Sequence, residues 1–409
     1  MKAQKKQPEL RFKGFTDDWE QVKLESITTI HARIGWQNLR TSEFLDSGEY
    51  MLITGTDFKN GEIDYSNIHY VEQERYEQDK KIQIEDGSIL ITKDGTLGKV
   101  AYVKKLPAPA TLNAGVFNVK VNKNVEVNQK YLFHYLYAPF LLKFASEQST
   151  GGTIKHLNQN VLVKFPVPLT SFEEQSKISN FLTKFDQAIT LQQRKLELLK
   201  KLKQGYLQQM FPTKDKVIPQ LRFSIFNGDW EQVKLGDLGH VAMNKRIFKG
   251  ETSSVGEIPF YKIGTFGKHA DAFISRELFE EYRAKYPYPK VGDLLISASG
   301  SIGKVVEYTG EDEYFQDSNI VWLAHDTKIT NAFLKQIYQT IKWAGLEGST
   351  IKRLYNKNIL DTQICMPSLS EQNLISKLLT FLDDAYVLQQ SKFKQQQQLK
   401  QAYLQKLFP

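Results

Sequence analysis

Two stretches of this chain place apolar residues at alternating steps of four and three. In the first, Ile178, Leu182, Phe185, Ile189, Gln192, Leu196 and Leu199 form a heptad seam that resumes beyond Lys203 at Tyr206 and Met210. The second runs Ile375, Leu379, Leu382, Tyr386, Gln389 and Phe393, thins at Gln396 and Lys400, and recovers at Tyr403 and Leu407. That period predicts two long helices that pair along a seam. Each opens on a serine with a glutamate three residues later, Ser171 with Glu174 and Ser368 with Glu371, the pattern of a capping box. Each stops at a Phe-Pro pair, with Pro212 and Pro409. At about 1.5 Å per residue such a helix is a rod of about 60 Å. Neither rod can bury its stripe alone, and the compact solution is an antiparallel pair with the globular parts at opposite ends. Gln192 and Gln389 then either meet near the middle, where a buried polar pair fixes register at some cost in stability, or are both solvated.

Outside the seams the pattern changes. "ILITKDG" and "LLISASG" cluster apolar residues before a glycine and read as short strands running into turns. "NQKYLFHYLYAPFLLKFA" and "NAFLKQIYQTIKWAGL" read as helices, the first kinked or stopped near Pro139. The globular segments are therefore α/β mixtures.

The similarity between the two seams extends along the whole chain. "DWEQVKL" occurs at Asp18–Leu24 and again at Asp229–Leu235, inside a longer match of "PELRFKGFTDDWEQVKL" to "PQLRFSIFNGDWEQVKL". "GSILITKDGTLGKV" from Gly87 matches "GDLLISASGSIGKV" from Gly292, and "GGTIKHLNQN" matches "GSTIKRLYNKN". The two seam segments then align without a gap at an offset of 197 residues. Two homologous halves make up the chain. The expected fold class is α+β, with pseudo-two-fold symmetry. Its parts are an N-terminal domain at 1–171, a central long helix at 172–211, a C-terminal domain at 212–367 and a second long helix at 368–409.

Composition narrows the function. The 409 residues include 41% hydrophobic and 12% aromatic positions, enough for packed cores. A net charge of +8 is compatible with a polyanionic partner. The single cysteine, Cys365, excludes a disulfide framework and a Cys-based zinc finger, and fits a reducing compartment. No apolar run follows the basic "MKAQKKQPEL", and the most apolar stretch is only 15 residues and interrupted, so a soluble cytoplasmic protein is expected.

Motifs for catalysis are missing. "KDGTLGKV" and "SASGSIGKV" have two residues, not four, between Gly and Gly-Lys, and Val in place of the magnesium-holding Ser or Thr. There is no GxGxxG after a strand, no HExxH, no CxxC and no Asn/Asp-Pro-Pro-aromatic tetrapeptide of an amino-group DNA methyltransferase. An enzyme, a metal site or a bound cofactor is not expected. Anion-binding chemistry is better represented. One set of turns offers Lys93, Thr96 and Lys99, answered in the second half by Ser299, Ser301 and Lys304. Another offers Thr153, Lys155 and His156, answered by Thr350, Lys352 and Arg353. Small residues admit close backbone approach, and hydroxyls, Lys and Arg supply phosphate contacts. A plain hairpin with a solvated lysine is the competing reading of each turn. Aromatic interleaving, as in "DYSNIHYVEQERY", is either a stacking surface or packing. Two related but divergent heads on a rod suit a reader of two separated, unlike half-sites on duplex DNA, with a gap of at most about 18 bp.

The "P.LRF..F..DWE..KL" opening and its return, the "G..GK" and "TIK.L" loops, and the "EQ..I...L" helices ending in "FP" resemble the DNA specificity subunits of type I restriction-modification systems. The resemblance covers essentially the whole chain. It implies two target recognition domains, each reading one half of a split sequence, joined by two long antiparallel helices. It also implies a subunit without catalytic activity, gripped by two methylation subunits that bring S-adenosylmethionine and completed by motor-nuclease subunits that bring ATP and magnesium. The repeated helices and "DWEQVKL" segments would be the partner-binding scaffold. A standalone bipartite DNA-binding regulator is the alternative. The thinned seam at "KFKQQQQLK" departs from the pattern.

Overall fold

The computed structural model describes residues 7–35, 38–94, 97–147, 156–213, 216–341, 343 and 353–409. The chain divides into two compact units, Met1–Gln193 with Ser391–Pro409, and Arg194–Gln390. Both seams are single helices, Phe172–Gln209 and Leu369–Lys406. Each unit therefore contains the start of one long helix and the end of the other.

In the first unit an antiparallel sheet takes the order Thr28–Ala32, Val116–Val121, Ile89–Thr92, Val100–Tyr102. Ile89, Leu90, Ile91 and Thr92 are all buried, as expected for a strand covered on both faces. A second sheet, His69–Val71, Tyr50–Ile53, Ala110–Leu112, Gln83–Ile84, contains one parallel pair, Ala110 beside Met51. The second unit repeats the first sheet as Gly239–Ala242, Ile320–His325, Leu294–Ser297, Val305–Glu307. Its other sheet has three strands, again with one parallel pair, Phe260 beside Tyr314.

The repeated heptapeptide closes each unit. Glu20–Lys23 pairs antiparallel with Pro166–Leu169, and Glu231–Lys234 with Gln363–Met366, in the same register. Each partner strand leads directly into a long helix. Trp19 and Trp230 are buried beside Tyr131 and Phe333 respectively, and Leu24 and Leu235 are fully buried. The Phe of each terminal Phe-Pro completes these aromatic clusters. Phe408 lies against Tyr131 and Tyr135, and Phe211 against Trp230 and Phe333. Burying one such ring stabilises by about 1.5–3 kcal/mol.

The "LRF" and "EQ" motifs explain each other. Arg11 donates from Nε and Nη2 to Glu174 at 2.8 and 2.9 Å, and Arg222 does the same to Glu371 at 2.7 Å through both nitrogens. Both carboxylates are buried, and the paired geometry raises the pKa of both guanidinium groups. This alters the expected capping boxes. The serine half of each is present at 3.3 and 3.4 Å, but the glutamates face arginine because a bidentate charge-assisted pair outcompetes a single amide. The neighbouring glutamines hold the next helix. Gln175 accepts from the Asn128 amide at 2.9 Å, and Gln372 from the Thr330 amide at 3.0 Å. Asn128 and Thr330 cap Gln129–Tyr137 and Asn331–Ile337. The first of these helices stops before Pro139, and Phe140–Glu147 begins a new one.

Ile178, Leu182, Ile189, Ile375, Leu379 and Leu382 are buried along the seams, with Phe185, Leu196, Leu199 and Tyr386 half-buried. Gln389 is buried and Gln192 half-buried. In the first unit the two helices run antiparallel: Phe181 meets Tyr403 at 4.9 Å between ring centres, and Asp186, one turn on, pairs with Lys400. In the second unit the equivalent residues repeat this contact, with Lys203 Nζ 2.5 Å from Asp383. The lysines that interrupt the apolar pattern thus form ion pairs across the seam. Lys400 is only 5% exposed and lies over the Tyr137 ring, whereas Lys203, 17% exposed, also donates to Gln339 at 2.7 Å.

Candidate nucleic-acid interface

In the first unit the buried strand Ile89–Thr92 delivers Lys93 to the surface. The turn that follows is closed by Thr92, whose carbonyl accepts from the Gly98 amide and whose hydroxyl accepts from the Lys99 amide, both at 2.9 Å. The second predicted loop returns to the same place. Leu157, anchored in the core, donates its amide to the Lys93 carbonyl at 2.9 Å, and His156 Nδ1 lies 2.5 Å from Asp94 Oδ1. Lys93 extends over the Phe117 ring at 5.6 Å, and Lys99 is exposed. Thr96, Thr153 and Lys155 lie outside the described residues.

The second unit builds the same platform with other side chains. Leu354 donates to the Ala298 carbonyl at 2.8 Å, and Arg353 bridges to Ser299. Ser299 Oγ donates to Asn319 at 2.7 Å, and Arg353 Nη2 to the Ser318 carbonyl at 2.8 Å. Ser318 takes a positive φ of 59°, a conformation rare for a residue with a side chain, and presents the Asp317–Asn319 turn beside the loops. Arg246 completes the edge through Asp317 at 2.9 Å. Ser301 accepts the Ser297 hydroxyl through its carbonyl. The Lys304 amide donates to Ser297 Oγ at 2.9 Å, and its ammonium is committed to the Phe266 carbonyl. Thr350 and Lys352 lie outside the described residues.

Sequence spacing found both loops of each platform but not their neighbours Asn319, Ser318 and Arg246. The polar run "QDSN" before the apolar strand at Ile320 is the only local sign of that turn. The platforms can offer cations, hydroxyls and a polar turn to an extended anion. Among the described residues no cluster of three or more His, Cys, Asp or Glu is placed to hold a metal.

The model of the type I restriction modification DNA specificity domain matches residues 16–201 and again 227–401. The chain belongs to this family. Its two copies of the domain coincide with the two halves of the internal repeat. The family is defined by the DNA specificity domain of type I restriction-modification systems. A type I restriction enzyme specificity subunit of Haemophilus influenzae is 41% identical over 63% of this chain and 65% of that protein, so the match spans somewhat less than two thirds of that relative. The MjaX specificity subunit of Methanocaldococcus jannaschii is 25% identical over 94% of this chain and 91% of its own length. The fold matches the S subunit of the type I restriction-modification system from M. genitalium, with a TM-score of 0.61 at 17% identity over 98% of this chain and 99% of that one.

Proposed function

We propose that each domain of this specificity subunit reads one part of a bipartite, asymmetric duplex DNA target, with Lys93, Lys99, His156, Ser299 and Arg353 among the groups that meet DNA. One observation carries this reading. The two platforms share a backbone frame, the Leu157-to-Lys93 and Leu354-to-Ala298 hydrogen bonds, yet present lysine, aspartate and histidine in one half and serine, asparagine and arginine in the other. A common frame with unlike side chains is what two different half-sites require. Thr96, Thr153, Lys155, Ser301, Thr350 and Lys352 belong to the same loops and extend the contact set. The Lys304 ammonium is turned to the Phe266 carbonyl instead.

The same reading assigns the long helices to protein partners. Leu191 and Leu388 are repeat equivalents and are 67% and 58% exposed, and Leu202 and Leu399, also equivalents, are 47% and 45% exposed. Apolar residues left outward at matching positions fit one kind of partner docking twice, the methylation subunits, with motor-nuclease subunits completing the complex. A standalone regulator has no use for them. No helix among the described residues is long and apolar enough to cross a membrane, and the lone Cys365 accords with a cytoplasmic setting.

The test is methylation mapping of DNA from cells that make this chain with its methylation subunits. The expected motif is split and asymmetric, and exchanging segments 20–170 and 231–366 exchanges its halves. A continuous or palindromic motif, or halves that stay in place after the exchange, overturns the reading.

A further inference from the structure

The two domains differ where the turn after the buried strand meets a second glycine turn, which belongs to a short hairpin in the first domain only. In the first, a cavity of about 410 Å³ opens between the turn at Lys59–Gly61 and the turn at Gly98–Lys99, floored by the buried Phe58 and the ring of Tyr137. Gly61 and Gly98 both take positive φ, 84° and 69°, and a Cβ on Gly98 would collide with Leu142 at 2.3 Å. In the second domain the matching turns are at Gly267 and Gly303, again with positive φ. There Lys304 reaches across, donates to the Phe266 carbonyl and lies so close to Gly267 that a Cβ would fall 2.7 Å from its ammonium. Trp343 covers Gly303 as Leu142 covers Gly98, so the lysine is what distinguishes the two sites. The lysine that plugs the second site is matched in the first by Lys99, which is exposed.

We infer that the first domain carries a binding cavity for one DNA backbone phosphate, gated by Lys99, which the second domain has closed with its own lysine. The charges at the rim decide the ligand. Lys59 pairs with Asp64 at 3.1 Å, and Lys104 with Glu62 at 2.5 Å, so these pairs cancel. Asp64 is held ionised, its pKa lowered to about 2 by hydrogen bonds from Ser66 and then Lys59. Lys99 has no carboxylate partner among the described residues, which leaves one uncompensated positive charge at the mouth. Lys400, which lies over the Tyr137 ring, is paired with Asp186, so the exposed charge of Lys99 is the one left to attract an anion at the opening. Location selects a phosphate over a partner's carboxylate. Lys99 ends the very turn that begins at Lys93, so the cavity continues the proposed DNA face, and phosphate contacts flank base-reading loops. This inference rests on the DNA-reading function above.

The test is a salt titration of the full chain, with its methylation subunits, on a labelled duplex bearing the mapped target. Lys99→Ala is expected to make the log-log slope shallower by about 0.9, the value of one lost phosphate contact. A single methylphosphonate position that weakens wild type should have no effect in this variant. Lys304→Met, which keeps the stem that fills the second site, is expected to leave the slope at its wild-type value. An unchanged slope for Lys99→Ala on a duplex that wild type binds specifically overturns the cavity but not the function. An equal loss in Lys304→Met overturns the asymmetry, and weaker retention of the methylation subunits by Lys99→Ala with no slope change reassigns the cavity to a protein contact. Absence of sequence-specific binding by wild type removes the function and the cavity together.

Discussion

His134 occupies in the first domain the place that Gln336 occupies in the second, one turn into helices whose caps are both held by a buried glutamine. It is almost wholly buried, with Nε2 3.3 Å from Thr183 and 3.9 Å from Asp186, and with Lys400 and Lys130 nearby. Burial first, and those two cations second, push its pKa well below the ordinary 6.5, so the folded imidazole is neutral. The unfolded chain takes up a proton below about pH 6.5 that the folded one refuses, and stability falls as the solution becomes more acid. Asp186 acts in the opposite sense, since burial raises its pKa and acid relieves the cost of keeping it charged. His134→Gln, the residue of the other repeat, is expected to flatten the decline between pH 7 and pH 5 in denaturant melts. A decline as steep as wild type would place the acid sensitivity elsewhere.

At the scale of elements, the two ion pairs across the long helices show where the sequence was legible. The four-three period, with its capping serines and Phe-Pro stops, located both helices to within three residues at each end, because burial of one stripe is a local, repeating demand. The same period made Lys203 and Lys400 look like flaws, since it counts a lysine as polar wherever it falls. Their partners, Asp383 and Asp186, lie 180 and 214 residues away in sequence. Equivalence at an offset of 197 for both the lysines and the aspartates was the available sign. The parallel strand pairs, the Arg11 partner and the Asn319 turn were hidden for the same reason, as each depends on residues distant along the chain. Removing one partner of a buried pair strands the other, so Lys400→Met is expected to destabilise by about 3 kcal/mol. Adding Asp186→Leu should restore much of that loss, because an apolar pair of similar volume is tolerated at such a site. Calorimetry on the single and double variants checks this; equal losses for both would mean that the charge pair contributes through something other than mutual compensation.

For the whole molecule, the repeated leucines on the helix exteriors separate partner binding from DNA binding. Leu191→Glu together with Leu388→Glu is expected to abolish co-elution with the methylation subunits while leaving the thermal midpoint within a few degrees of wild type, because exposed positions contribute little to the fold. Retained co-elution would move the docking surface away from these helices.

The first domain is completed by residues 391–409, with Leu404, Leu407 and Phe408 set into its aromatic core. A ribosome releases those residues only after some two hundred others that belong to the second domain have emerged. The head made first is therefore the one that finishes last, waiting half-built on a seat reserved for the far end of its own chain. A nonsense codon near position 390 strikes hardest at the reader encoded farthest upstream.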